Sequence, residues 1–243
     1  MEIRIEQAAY QDVSALRELY RHEANCQIIH DSSMSRSFTQ PYLIAVNGRL
    51  AGYGAVFHKH YPGRAMEFYT FPEFRPHASA MFRELISVGR ATEIEAQSNM
   101  PLALSMLLEF GKNVRVESIL FHDGLTTSLE APGAVFRARD SQDRISNVGE
   151  PEGDYVVAVD GKIASNGGYL CHYNPPYGDI YMETSEEFRR MGYGSYFVQE
   201  LKRVCYEAGK KPSARCNPDN LASRRTLERA GFRCVGHLVA ADV

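Results

Sequence analysis

The chain has 243 residues, 44% of them hydrophobic and 23% charged, ordinary proportions for a folded globular protein with room for one large domain or two small ones. With 27 Lys and Arg against 30 Asp and Glu the net charge is −3, which carries no basic footprint for nucleic acid. No apolar run approaches the roughly 18 residues of a membrane helix, so no membrane partner is expected, and the charged, alternating Met1–Glu6 does not read as a signal peptide.

Five scattered cysteines (Cys26, Cys171, Cys205, Cys216, Cys234) with no C-x-x-C suit a reducing cytoplasm and argue against a disulfide frame or a zinc site. Ile3 and Ile5 alternate with charges, a half-buried first strand. Asp12 is a helix N-cap candidate, and Val13, Leu16, Leu19 and Tyr20 mark the apolar face that follows. Residues 21–40 are polar and mixed, an irregular helix or loop. Tyr42–Val46 is a strand, Asn47-Gly48 a two-residue hairpin turn, and Leu50–Phe57 the return. His58 and His60 alternate at the hairpin end, but no third ligand accompanies them and no metal is expected. Met66–Tyr69 reads as a strand, and Arg75–Ala80 leads into a helix. From about Leu125 to Asp154 the chain is rich in Gly, Pro, Ser and charge and holds a boundary. Within it Val135–Arg139 is a candidate strand with no amphipathic helix behind it.

The pattern then repeats. Tyr155–Val159, Asp160-Gly161 and Ile163–Leu170 match the earlier hairpin, with Ala158 standing 113 residues after Ala45. Arg189 follows Arg75 by 114 residues, Asn217 follows Asn99 by 118, and Gly231 follows Gly111 by 120. Four anchors in one order, with a slowly growing offset, indicate a duplicated unit with small insertions. The expected domains are 1–128 and 129–243.

The second copy carries the chemistry. After a strand at Ile180–Thr184 comes Arg189-Arg190-Met191-Gly192-Tyr193-Gly194, then a helix whose Phe197, Leu201, Val204, Cys205 and Ala208 share one face, ended by Gly209. Two glycines let backbone approach a ligand, and unpaired amides at a helix start favour an anion. Arg189 and Arg190 add fixed charge, so the turn is a phosphate seat or a tight turn with two solvated arginines. It is neither G-x-x-x-x-G-K-[ST] nor G-x-G-x-x-G, which sets aside a nucleoside triphosphatase loop and a dinucleotide fold. In the first copy Gly192 and Gly194 become Ala78 and Ala80, and Arg190 becomes Pro76, which lacks an N–H. That copy is expected to have lost the ligand.

Strand, R-x-x-G-x-G, helix, strand, then an Asn-led helix ending in Gly-Phe resembles the GCN5-related N-acetyltransferase (GNAT) family. The matching residues are Thr184, Arg189, Gly192, Gly194, Asn217, Asn220, Ser223 and Gly231-Phe232. The resemblance is strongest from Tyr155 to His237, with the first copy a degenerate version of the same fold. It implies an α/β, mixed-sheet fold, two GNAT-like domains in tandem, and acetyl-CoA (coenzyme A) held in a splay between two central strands. By that resemblance Met182 and Thr184 border the pantetheine, and the amides of Arg189, Arg190, Met191, Gly192, Tyr193, Gly194, Ser195 and Tyr196 hold the pyrophosphate. Asn217, Asn220 and Ser223 then face the pantetheine or its waters. Many relatives carry a general-acid Tyr seven residues after the Asn, where this chain has Leu227. An Asn-x-x-Ser branch without that Tyr exists, and Asn220 and Ser223 resemble it, leaving Ser223 or water as the donor.

For the base, strand alternation puts Asp179, Tyr181 and Glu183 on one side, and Glu183 is the first candidate, acting directly or through water. Tyr169, Cys171, His172, Tyr173 and Tyr177 cluster near strand ends and could line an acceptor pocket. A cysteine acyl-enzyme is not favoured, because no base is fixed beside Cys171, Cys205 or Cys216. The expectation is an N-acetyltransferase acting by direct attack of an amine in a ternary complex. The rivals are a silent coenzyme A-binding module and a longer-chain acyltransferase. Two fused copies can mimic a dimer, so a monomer is reasonable, and a homodimer stands beside it as the alternative.

Overall fold

The computed structural model describes residues 1–24, 30–145, 153–173 and 175–243; Cys26 and parts of the 21–40 and 125–154 stretches lie outside them. By its contacts the chain divides into two compact units, Met1–Ile119 with Gly236–Val243, and Leu120–Val235.

The first unit runs β1 (Ile3–Gln7), α1 (Tyr10–His22), α2 (Asp31–Ser35), β2 (Thr39–Val46), β3 (Arg49–Phe57), β4 (Arg64–Thr70), a 3-10 turn (Pro72–His77), α3 (Ala78–Gly89), β5 (Glu93–Gln97), α4 (Pro101–Phe110) and the start of β6 (Lys112–Asp123). Strands β1 to β4 pair antiparallel in sequence order. β4 then pairs parallel with β5, at Arg64–Glu93 and Ala65–Ile94 only. Asn47 and Gly48 both have positive φ (48° and 76°), which is the geometry of a two-residue hairpin turn.

Two details of the first helix differ from the sequence reading. α1 starts at Tyr10, so Asp12 is not the N-cap; its Oδ2 accepts the Ala9 N–H at 2.8 Å from three residues in. Leu19 is 43% exposed, because it lies roughly 120° round the helix from Val13. Arg17 takes the inward place beside Val13, Leu16 and Tyr20 and is itself buried.

The second unit continues from β6 through β7 (Ala134–Ala138), β8 (Tyr155–Val159), β9 (Lys162–Leu170), β10 (Tyr177–Thr184), a 3-10 turn (Glu186–Phe188), α5 (Tyr193–Glu207), β11 (Lys211–Cys216) and α6 (Leu221–Arg229) into β12 (Phe232–Asp242). β7 to β10 pair antiparallel in order, and β10 pairs parallel with β11. The end of β12 belongs to the first unit, where Leu238–Asp242 pairs antiparallel with β5.

The duplication extends to irregularities. Asp160 and Gly161 repeat the φ values of the first hairpin turn (48° and 76°). The first hairpin bulges between Ile44 and Ala45 and the second between Val157 and Ala158, each 113 residues on. Between β7 and β8 no helix occurs among the described residues, whereas α1 and α2 stand between β1 and β2.

α5 buries Phe197, Val198, Leu201 and Cys205; Ala208, expected on that face, is the exposed C-cap, and Gly209 follows with φ 68°. Buried Lys202 donates to the Leu125 and Ala230 carbonyls, both at 2.7 Å, and meets Asp123 at 2.6 Å. Two carbonyls and one carboxylate thus offset its buried charge, tying α5 to both ends of the neighbouring chain.

Candidate active site

β10 and β11 pair from Tyr177–Lys211 to Ile180–Ala214 and then part. Tyr181 to Thr184 stay paired with β9 alone, opposite Gly168, Gly167, Asn166 and Ser165. A cleft of about 1010 Å³ opens there. Asn166 and Tyr181–Thr184 form one wall, and Phe188, Arg189, Arg190, Gly192, Gly194 and Ser195 close the end. The opposite wall is Asn220, Ala222, Ser223, Arg225, Thr226 and Arg229.

The end wall has the geometry of an anion seat. Arg190 (φ 64°) and Gly192 (φ 93°) both turn left-handed, which favours glycine at the second. The helical ladder begins with Tyr196 N–H to the Gly192 carbonyl at 3.1 Å. The amides of Tyr193, Gly194 and Ser195 therefore have no partner within α5. A Cβ on Gly194 would lie 3.1 Å from Thr184 Oγ1, 3.2 Å from Met182 Cε and 3.4 Å from Thr226 Cγ2, filling the cradle. Arg189 braces the turn by donating from Nε to the Thr184 carbonyl at 3.2 Å.

Of the residues expected to face a ligand, Met182, Thr184, Arg189, Arg190, Gly192, Gly194, Ser195, Asn220 and Ser223 border the cleft, as does Glu183. Met191, Tyr193, Tyr196 and Asn217 do not line it. Met191 is 62% exposed, and the Tyr193 ring meets Phe188 edge-on at 5.8 Å. Burial raises the Tyr196 phenol above its ordinary value. Asn217 turns its side chain inward on its own loop, Oδ1 accepting the Asp219 N–H at 2.8 Å. Asn220 caps α6, Oδ1 accepting the Ser223 N–H at 3.0 Å. Leu227 is buried in the core.

Tyr181, Arg225, Thr226 and Arg229 were not singled out as ligand-facing from sequence. Ala222, Arg225, Thr226 and Arg229 fall at i, i+3, i+4 and i+7, one helical face, which is the signal that finds them. Asn166 follows from strand register, opposite Glu183.

Asp179, Tyr181 and Glu183 alternate with Gly178, whose Cβ position would lie 3.1 Å from Cys205 of α5. Their face is therefore the one turned away from α5. Of the three, Tyr181 and Glu183 reach the cleft. Asp179 is buried, and burial raises its carboxyl above the ordinary range against the pull of Arg215 and His172. Arg215 Nε stands 3.3 Å from Asp179 Oδ2, and its guanidinium lies 4.4 Å over the Tyr173 ring. His172 packs on Tyr173 at 4.3 Å. Tyr169, Cys171, His172, Tyr173 and Tyr177 do not border the cleft.

Cys171, Cys205, Cys216 and Cys234 are free thiols. Burial pushes the Cys205 thiol up to about 12, the opposite of nucleophile activation. His60 packs edge-on against Phe38 at 4.5 Å. Among the described residues no three His, Cys, Asp or Glu gather to hold a metal, and no helix is long and apolar enough to cross a membrane.

Comparison with known proteins places this geometry. Residues 10–124 match the family described as acetyltransferase (GNAT) domain, and residues 152–239 match FR47-like protein. A GNAT-family acetyltransferase from Colwellia psychrerythraea is similar in fold over 100% of this chain and 99% of its own, with TM-score 0.77 and 16% identity. A tandem GNAT protein from the clavulanic acid biosynthesis pathway has TM-score 0.61 at 11% identity, covering 99% and 98%. A GCN5-related N-acetyltransferase from Sphaerobacter thermophilus has TM-score 0.61 at 13% identity, covering 99% and 95%. No curated protein matches the chain by sequence. The chain belongs to the GCN5-related N-acetyltransferases, acyl-coenzyme A-dependent N-acyltransferases, with two copies of the fold in tandem.

Proposed function

We propose that the protein transfers an acetyl group from acetyl-CoA to an amine by direct attack in a ternary complex. The cleft between β10 and β11, ended by the glycine turn, carries this reading. The cradle that a Gly194 Cβ would fill fits the pyrophosphate and the start of the pantetheine arm. Residues 129–243 are taken as the cofactor-binding domain and 1–128 as a copy that has lost that role. The free thiols and the moderate charge agree with a cytoplasmic enzyme.

The amides of Tyr193, Gly194 and Ser195, with Arg189 and Arg190, would hold the pyrophosphate. The β10 backbone at Met182 and Thr184 would border the pantetheine. The thioester supplies an acyl carbon activated toward nitrogen. An amine must shed a proton as its nitrogen bonds that carbon and the carbon–sulfur bond breaks. Glu183 borders the cleft on the strand face away from α5 and takes that proton, directly or through one water. Asp179, on the same face, does not reach the cleft. The leaving sulfur takes a proton from water or the Ser223 hydroxyl, since Leu227 offers none.

The test is calorimetric binding of acetyl-CoA to the wild type and to Gly192→Ala/Gly194→Ala, followed by thiol release with a panel of amines. Micromolar binding lost in the variant supports the reading. Absence of binding by the wild type overturns it.

A further inference from the structure

β11 carries a cation that cofactor binding does not use. Ser213 pairs with Asp179, so Ser213 and Arg215 share the sheet face of Asp179, Tyr181 and Glu183. The last β10–β11 pair is Ile180–Ala214, and Arg215 is the first β11 residue beyond it. It stands where the two strands part, on the face that bears the candidate base. Its side chain is 28% exposed and reaches Asp179 and the Tyr173 ring.

The contact with Asp179 is one-pronged. Nε of Arg215 stands 3.3 Å from Oδ2, and the buried Oδ1 has no hydrogen-bond partner among the described residues. Other arginines of this chain turn two donors to a carboxylate. Arg137 donates from both Nη atoms to Asp143 at 2.6 Å, and Arg17 from Nε and Nη2 to Glu67 at 2.9 Å. Neither Nη of Arg215 has a hydrogen bond or ion pair among the described residues. Asp179 and the Tyr173 ring thus fix the guanidinium plane and leave the edge with its Nη donors for a ligand. Paired donors on a planar edge fit a carboxylate. With Asp179 beside the fork, the local charge suits a monoanion better than a phosphate dianion.

The strand also sets a length. Asp179 and Glu183 are four residues apart, roughly 13 Å along β10. An ion pair at one end and a hydrogen bond at the other take up about half of that. The rest is spanned by a chain of about four or five methylenes.

We propose that Arg215 binds a carboxylate of the acceptor, whose reacting amine lies at the far end of such a chain, as in a lysine-like amino acid or a long ω-amino acid. Asp179 is then a positioning residue, which aims the fork. The proposal rests on the acyltransferase reading of the cleft, with Glu183 as its base.

The experiment follows thiol release from acetyl-CoA by the full chain, with ε-aminocaproate and lysine as acceptors, each beside its carboxamide. The wild type should favour each acid over its amide by at least about tenfold in kcat/KM. Arg215→Gln should lose that factor through a higher KM for the acids, with kcat retained. Because this change leaves a buried carboxylate unpaired, Arg215→Gln/Asp179→Asn is measured beside it and should lose the same factor. Asp179→Asn alone leaves the fork charged but unbraced, and should lose part of the preference, again in KM. Lys211→Gln, exposed on the same face of β11, should keep the preference. Amides used as well as acids by the wild type overturn the proposal. So does a preference that survives both Arg215 variants, or an equal loss for acids and amides. Wild type that binds acetyl-CoA in calorimetry but releases no thiol with these acids overturns the acceptor class alone. Wild type that binds no acetyl-CoA overturns the cofactor reading itself, a distinguishable result.

Discussion

In the first unit Ala65–Thr70 of β4 is wholly buried; in the second, Tyr181–Thr184 of β10 are half-exposed along a cleft. Sheet register makes Phe68 the counterpart of Met182 and Glu67 that of Tyr181. Where the second unit has Met182 and Tyr196, the first has Phe68 and Phe82, with rings 4.9 Å apart, and Phe110 packs on Phe82 at 5.6 Å. Ala78 and Ala80 replace Gly192 and Gly194. Glu67 is buried against α1, accepting from Arg17 Nε and Nη2 at 2.9 Å and from Tyr53 at 2.8 Å. Tyr181 borders the open cleft. One topology thus gives either a filled core or an open cleft, according to aromatic volume, two methyl groups and the helical cover.

The largest effect should come from breaking that cover. Burial opposes the Arg17 charge, but Glu67 and Asp31 outweigh it and hold the guanidinium well above its ordinary value. Arg17→Met strands the Glu67 carboxylate in the core and should cost about 3–5 kcal/mol, read by urea denaturation. Tyr181→Phe, at the matching place in the second unit, should cost under about 1 kcal/mol. Similar costs at both sites would contradict the contrast between core and cleft.

Copying the first unit's alanines into the second comes next. Gly192→Ala/Gly194→Ala forces a side chain into left-handed backbone at one site and into the cradle at the other. Acetyl-CoA affinity should fall by about 100-fold, roughly 3 kcal/mol. Undiminished affinity would move the phosphate seat elsewhere. Glu183→Gln should lower kcat by about 10²-fold and leave KM nearly unchanged. An unchanged kcat would assign proton removal to another group.

Much of this contrast was legible in sequence, because hairpin turns and the glycine turn depend on local φ preferences that a few residues announce. Asn47-Gly48 and Asp160-Gly161 fixed two hairpins, and their spacing exposed the duplication. Local pattern could not say which polar side chain is spent on its own backbone. Asn217 looks ligand-facing beside Asn220, yet it closes an Asx turn. Asp12 resembles a cap and sits three residues too late. The arginines of α6 were missed because an exposed Arg on a helix is commonplace until an opposing wall is known. The route of β12 into the first unit depends on long-range pairing and leaves no local mark.

A weaker effect concerns pH and the first unit alone. Burial would raise the Glu95 carboxyl, but His30 and Arg64 bond to it, both at 2.9 Å, and hold it below its ordinary value. A carboxyl depressed in the folded state stabilises above its unfolded value and loses that contribution as pH falls through the folded one. Stability of the first unit should therefore decline below about pH 4.3, the ordinary glutamate range. Glu95→Gln should flatten this decline in urea titrations. An unchanged slope would assign acid sensitivity to other carboxylates.

The smallest effect separates the two asparagines. Each accepts one backbone N–H, so each truncation should cost about 1 kcal/mol. Asn220→Asp keeps an accepting oxygen at the α6 cap and should restore the stability lost in Asn220→Ala. Asn220 also borders the cleft, whereas Asn217 does not, so only the Asn220 variants should alter acetyl-CoA affinity. The first unit supplies the control for this reasoning. Its Asn99 matches Asn217, but α4 begins from Met100 with no side-chain cap and has Pro101 at its first position. In the second unit Pro218 and Asp219 lengthen the turn after Asn217 and bring a second asparagine to the cap. An affinity loss in Asn217→Ala equal to that in Asn220→Ala would show that the turn, not the cap alone, shapes the cleft wall.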